Sequence, residues 1–334
     1  MNKKRIFSAV IIIVVALVLL ILIKVKNDIN HPFITKNNKV EFVVNKGESL
    51  FYVIDKLNKD GLMKNKQLMK IYIKNNKLNT TIKSGEYVIP SDISIKEFVD
   101  TLNKGMKISV TIPEGYDVER IGDLLEKKGL VSKKDFLKSC KEYKLPENIK
   151  ANIKAKYPLE GYLFPDTYEF DKSFSSNKII SAMLNRFEEV LKEVEKEENK
   201  EITNLKDIVI IASIVEKEAR IDEDRAEIAS VVFNRLKRKM MLQIDATVLY
   251  ALGEHKDRLY LKDLKVNSPY NTYKIKGLPV GPICSPGKPS IKAALNPKNT
   301  ENIYYVLQDN EKHYFTNNYK DFLKAKERYK KQFK

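Results

Sequence analysis

Residues 42–62, FVVNKGESLFYVIDKLNKDGL, return at residues 110–130 as VTIPEGYDVERIGDLLEKKGL, without a gap. The offset is constant (115 − 47 = 68): Gly47 matches Gly115, Asp55 matches Asp123, Leu57 matches Leu125, and Gly61-Leu62 matches Gly129-Leu130. KQLMK at 66–70 then lies opposite KDFLK at 134–138, and GEYVIP at 85–90 resembles EGYLFP at 160–165 after a small insertion. Each copy reads as a strand, a glycine turn, a helix ended by glycine, a second helix and a returning strand. In the first copy a further helix follows, with Ser94 and Glu97 as a capping box and Gly105 just past its end. Two βααβ copies are too few for a solenoid, so the chain is expected to be α+β. The first module spans 40–107, and 108–170 repeats its 40–92 portion.

The amino terminus sets the compartment. Ile6–Ile23 reads IFSAVIIIVVALVLLILI without a charge, about 27 Å of helix, just enough to cross a hydrocarbon core. No small-x-small cleavage site follows in KVKNDINHPF, so the segment reads as an uncleaved single-pass anchor rather than a signal peptide. Residues 1–5 form a short tail and 24–39 a linker. Lys3, Lys4 and Arg5 precede the span while Lys24 and Lys26 follow it, a slight bias toward an N-inside orientation. The formal net charge of +17 favours anionic surroundings: nucleic acid, lipid headgroups or acidic wall polymers. With the working part outside the cytoplasm, and with no recognisable nucleic-acid module, nucleic acid is excluded as a partner. Cys140 and Cys284 are too few and too far apart for a disulfide scaffold. His31, His255 and His313 lack ligand spacing, so no metal or other cofactor is expected.

The second half differs in texture. Helices are expected at about 177–200, 207–220 and 226–239, followed by loops rich in Pro, Gly, Asn and Tyr over 268–290. Such loops suit sugars, with flat Tyr rings for pyranose faces and amides for N-acetyl and hydroxyl groups. The apolar helix ends in IVEKEAR, with Glu216 and Glu218 on opposite flanks of its stripe. Glu216 has Arg220 at i+4, an ion-pair spacing. Glu218 lies beside Ile214 and Val215, where loss of water raises a carboxyl pKa and keeps the proton that a general acid needs. The competing reading is a solvated glutamate at a helix edge.

Two resemblances extend this reading. The first module resembles a LysM module, a βααβ fold associated with glycans containing N-acetylglucosamine; a packing or spacer role without ligand is the alternative. IASIVEKEA at 211–219, VVFNRL at 231–236, LQIDATVLYALG at 242–253, SPYNTY at 268–273, GLPVGPI at 277–283, SPG at 285–287 and LEGYLFPDTY at 159–168 together resemble the MltG (YceG-like) family of endolytic murein transglycosylases. Ala246 and Val280 stand where that family often has proline, and Cys284-Ser285 replaces a more usual pair, which bears on loop stiffness. The resemblance covers the whole chain: tail, anchor, LysM-like region, then a mostly helical catalytic domain with a small sheet over 108–334.

The resemblance implies cleavage of the β-1,4 bond between N-acetylmuramic acid and N-acetylglucosamine inside nascent glycan strands, with Glu218 as the one catalytic carboxyl and 1,6-anhydro ends as product. It also implies peptidoglycan synthases of elongation or division as partners. Gln243, Asp245 and Thr247 are candidates to bind substrate or to brace the Glu218 helix; for Asp245 a helix cap is the alternative. Tyr270, Asn271, Thr272 and Tyr273 are candidates to line subsites. Glu216, Arg220, Asn234 and Arg235 are read as structural. A serine acyl-transfer enzyme is disfavoured, because Pro286-Gly287 interrupts the Ser285–Lys288 turn. The remaining rival is a non-catalytic, membrane-anchored scaffold that binds glycan and recruits synthases.

Overall fold

A computed structural model describes residues 3–332 except 36, 153, 254, 255, 257, 258 and 310. Met1, Asn2 and His255 therefore lie outside the described residues, as do the side chains of residues 3–6 and 9. The fold is mixed α+β. It divides into two compact units, Met1–Ile108 with Asp171–Ser173, and Ser109–Phe170 with Phe174–Lys334.

The first unit opens with α1 (Lys3–Asn30), whose side chains from Val10 to Ile23 are all exposed. Its Val10–Asn30 stretch, in which 18 consecutive residues reach a mean hydropathy of 2.7, is long and apolar enough to cross a membrane, a property that anchors and signal sequences share. The first part of the expected linker is helical. The His31 amide donates to the Asn27 carbonyl at 2.8 Å, and Ile29 packs onto the core of the following module. That core belongs to β1 (Lys39–Val44), α2 (Leu50–Lys59), α3 (Lys66–Asn75), β2 (Gly85–Pro90) and α4 (Ile95–Lys104). Leu50, Val53, Ile54 and Leu57 make one face of α2, the helical spacing of a buried stripe. β1 and β2 pair antiparallel, from Lys39 opposite Pro90 to Val44 opposite Gly85. Ser94 and Glu97 form the expected reciprocal cap of α4.

The second copy uses β3 (Lys107–Thr111), α5 (Val118–Lys127), α6 (Lys133–Glu142) and β4 (Thr167–Asp171). Its kinship with the first extends to single hydrogen bonds. Gly61 N–H bonds the Asn58 carbonyl and Leu62 N–H that of Leu57; one repeat later Gly129 bonds Glu126 and Leu130 bonds Leu125. Both glycines are left-handed, with φ of 71° and 68°, the conformation that ends a helix at glycine. One expectation is corrected. EGYLFP at 160–165 is not the returning strand but a series of turns, and the strand that pairs with β3 begins at Thr167. Pro158 and Pro165 interrupt a strand ladder, and Glu160 and Gly161 are drawn into the interior.

The rest of the second unit is built around α8 (Leu205–Glu218). Val209–Val215 are buried without a break, as befits a helix covered on every side. α9 (Asp222–Lys237), α10 (Asp245–Leu252) and α11 (Lys288–Leu295) all pack on it, and α7 (Ser176–Glu198) lies against α11. A short 3₁₀ turn at Asp263–Lys265 sits in the long loops. The hairpin β5 (Tyr304–Leu307) and β6 (His313–Thr316) then leads to α12 (Tyr319–Gln332). The three expected helices thus occur within a few residues of their expected ends.

Gly161 is the point where two of the sequence motifs meet. It has φ of 83°, and a Cβ there would lie 2.5 Å from Pro282 Cβ and 3.0 Å from Val209 Cγ1. Gly161→Ala is therefore expected to cost about 3 kcal/mol, through overpacking and backbone strain together. A lowered urea midpoint for the full chain in detergent checks this; an unchanged midpoint contradicts it.

Candidate active site

The last turn of α8 places Glu216 and Glu218 in different surroundings. Ala219 leaves the helix with ψ of 135°, so Arg220 is not on α8 and the expected i+4 spacing to Glu216 does not arise. Glu216 takes Arg225 of α9 at 3.3 Å instead. The same oxygen, Oε2, accepts the Gly287 amide at 3.0 Å and the Ser290 hydroxyl at 2.8 Å. Glu216 thereby ties α8 to α9 and to the start of α11.

Glu218 faces the other way and is half-buried. Its Oε2 accepts the Tyr305 hydroxyl at 2.8 Å, and it also accepts the amide of Ala246 in the first turn of α10. Burial raises its pKa above the ordinary carboxyl value, and the nearby charge of Asp245 adds to the rise. The hydrogen bonds from Tyr305 and Ala246 and the charge of Lys217 favour the ionised form and offset part of it. The result is a carboxyl that holds its proton more firmly than usual, next to two donors ready for the anion once the proton has left.

The other expected site residues fall into two groups. Thr247, Asn271 and Thr272 are buried, and Tyr270 is 4% exposed. Their polar atoms are engaged within the fold. Thr272 Oγ1 meets Thr247 Oγ1 at 2.9 Å and accepts the Ile244 amide at 2.9 Å. Asn271 Nδ2 donates to the Leu264 and Val266 carbonyls, and the Tyr270 hydroxyl accepts the Lys156 amide. Gln243, Asp245 and Tyr273 form the second group, reaching solvent. The Tyr273 hydroxyl donates to Asp245 Oδ1 at 2.6 Å. Asp245 is the first residue of α10 and Ile244 its cap, so the capping alternative is not what Asp245 does. Gln243 turns the chain with φ of 48° while its amide donates to the Thr272 carbonyl.

Asn234 and Arg235 fasten the segment that delivers Tyr305. Asn234 Nδ2 donates to the Thr300 and Asn302 carbonyls, and Arg235 Nε to that of Ile303 at 2.7 Å. The Arg235 guanidinium lies over the Tyr304 ring and donates to the Leu242 carbonyl. From the far strand of the hairpin, His313 bonds Asp224 of α9 through both its amide and Nδ1, each at 2.8 Å. Lys288 pairs with Glu193 and Glu197 and Ser285 is buried, so these two form no nucleophile–base pair.

Sequence reasoning missed Tyr305, Arg225 and Glu160. With 17 tyrosines in the chain, nothing distinguished Tyr305 in advance. Glu160 lay in a quoted motif but received no role. It is 1% exposed and accepts the Val118 amide at the start of α5 and the Tyr250 hydroxyl at 2.8 Å. Burial pushes its carboxyl up to about 8, helped by the charge of Asp117. Between the ordinary 4.5 and about 8 the folded state holds a proton that the unfolded chain has lost, so stability falls as pH rises through that window. Glu160→Gln keeps the shape and removes the titration. Urea midpoints measured from pH 5 to pH 8 are expected to fall in the wild type and to fall less in the variant; parallel curves contradict the assignment.

Residues 42–328 match the YceG-like family. The chain is 34% identical over 314 residues to an endolytic murein transglycosylase of Bacillus subtilis (strain 168), covering 89% of this chain and 87% of that protein. It is 31% identical over 296 residues to an endolytic murein transglycosylase of Streptococcus pneumoniae serotype 2, covering 79% of this chain and 54% of the pneumococcal protein. A crystal structure of a yceG-like protein from Listeria monocytogenes superposes with a TM-score of 0.59 at 32% identity, covering 86% of this chain and 98% of that one. The chain belongs to the YceG-like family.

Proposed function

We propose that this protein is an endolytic lytic transglycosylase. It cuts the β-1,4 bond between N-acetylmuramic acid and N-acetylglucosamine inside nascent peptidoglycan strands. The observation that carries the reading is Glu218: a carboxyl with a raised pKa, held between the Tyr305 hydroxyl and the first turn of α10. Family membership and the names of the relatives support it.

In the reaction, Glu218 gives its proton to the glycosidic oxygen as the bond from muramic C1 breaks, and the N-acetylglucosamine end leaves as an alcohol. The muramic C6 hydroxyl then closes onto C1 and Glu218 takes its proton. A 1,6-anhydro ring forms and the carboxyl is restored without consuming water. Because the nucleophile is part of the substrate, proximity supplies what a second catalytic carboxylate does in a hydrolase. Tyr305 and the α10 amide stabilise the anion between the two proton transfers. Asp245, held by Tyr273, is suited to balance the positive charge that builds at C1. Thr247, Tyr270, Asn271 and Thr272 brace the loops, while Gln243 and Tyr273 are the candidates to meet sugar.

α1 serves as a single-pass anchor with its amino terminus inside, and the first module, LysM-like, engages glycan beyond the membrane. Cutting growing strands would end their elongation, and this makes synthases of the elongation or division machinery the natural partners.

The full chain in detergent, incubated with uncrosslinked glycan strands, is expected to yield anhydro-ended internal fragments by mass spectrometry. Glu218→Gln is expected to lower the rate at least about 10²-fold. Strands bound but left uncut by the wild type support the scaffold instead, and reducing ends support a hydrolase. Tyr305→Phe removes a donor that favours the ionised carboxyl. It is therefore expected to lower kcat about tenfold and to move the alkaline limb of the pH–rate profile to higher pH. An unmoved limb excludes a direct role for the Tyr305 hydrogen bond.

A further inference from the structure

A groove of about 490 Å³ lies within the second unit. Lys217 and Ala246 both line it; the first precedes Glu218 in the chain and the second donates its amide to it, so the groove reaches the immediate neighbours of the general acid. Its lining is more charged than a sugar requires. Arg120 lines it, as do Lys133 with Asp123 at 2.8 Å and Lys156 with Glu119 at 2.6 Å. Beneath them lies the Tyr250 ring, with the Lys156 ammonium 5.6 Å from its centroid and its hydroxyl bonded to the buried Glu160.

We propose that this groove holds the short peptide that muramic acid carries on its lactyl ether. That ligand is a zwitterionic oligopeptide, with carboxylates for Lys133, Lys156 and Arg120 and an amino group for Glu119 and Asp123. The proposal rests on the transglycosylase reading and names a further part of its substrate. Neutral sugar rings laid over these ion pairs would strip water from the charges and return hydroxyl hydrogen bonds but no opposing charge. A ligand with charges of both signs can exchange partners with them, and because the pairs are partly exposed they contribute little to the fold that such exchange would forfeit. The stem leaves the same muramic residue whose C1 is attacked, so its subsite must lie close to the general acid, and this groove is lined by Ala246, whose amide Glu218 accepts.

The test compares two substrates, uncrosslinked strands with their stems and the same strands stripped of stems by an amidase. For each, kcat/KM for anhydro-ended products is measured with the full chain in detergent. The wild type is expected to favour stem-bearing strands at least about tenfold, mainly through KM. The double variant Lys133→Gln, Lys156→Gln is expected to reduce that preference to within about twofold, with a circular-dichroism melt confirming that it folds. A wild type that treats both substrates alike, or a variant that keeps the preference, overturns the stem subsite and leaves the transglycosylase reading standing. Absence of anhydro product from either substrate overturns both.

Discussion

Three donors converge on one oxygen of Glu216, from Arg225, Gly287 and Ser290, and the rest of the site depends on this clamp. Charge-assisted bonds of this kind are stronger than neutral ones and are directional. Here they anchor the end of a helix to two neighbours at once. With α8 fixed, the alternation of its last turn leaves Glu218 no choice of side. It faces α10 and the hairpin, where burial works on its proton. The pair of glutamates divides the labour: one holds the backbone still, and the other can then be kept in a setting that is unfavourable for its charge.

Tyr305 reaches the site from nearly 90 residues further along the chain, and its delivery shows how a two-stranded hairpin can be made dependable. A hairpin alone is marginal in water. This one is held from both sides, by Asn234 and Arg235 at its entry and by the Asp224–His313 bonds on its outer strand. Alternation along β5 does the rest. Tyr304 turns to Arg235 and to the rings of Tyr319 and Phe322, which leaves Tyr305 to face Glu218. The contacts that look purely structural on α9 therefore act on the Glu218 carboxyl through one hydroxyl.

Local pattern made much of this legible in advance. The repeat marks both modules because glycine turns and helix stripes are short-range features, and Glu218 stands out because its apolar neighbours lie within one turn. What could not be read depends on contacts between distant segments. The partner of Glu216 hinges on where α8 stops, and that is decided by the extended ψ of Ala219 rather than by the preferences of IVEKEAR. Thr272 and Asn271 have the letters of a sugar site, yet their hydrogen-bonding atoms face inward, since a long loop at a helical core must satisfy its own backbone. The strand expected at 160–165 matched in letters but not in role, because Glu160 and Gly161 are needed inside.

The same displaced strand says something about what a duplicated module permits. In the first copy the second helix returns to its strand through residues 76–84; in the second, residues 143–166 fill that interval. Closing a loop grows costlier only with the logarithm of its length, so an extension of this size adds about 1 kcal/mol. The strand can still dock beside its partner after the detour. A βααβ frame is thus indifferent to what is threaded between its last helix and its last strand, and here the threaded segment furnishes Lys156, Tyr157 and Glu160 to the groove that Lys217 and Ala246 also line. Repetition supplied the scaffold, and the difference between the repeats supplied the pocket.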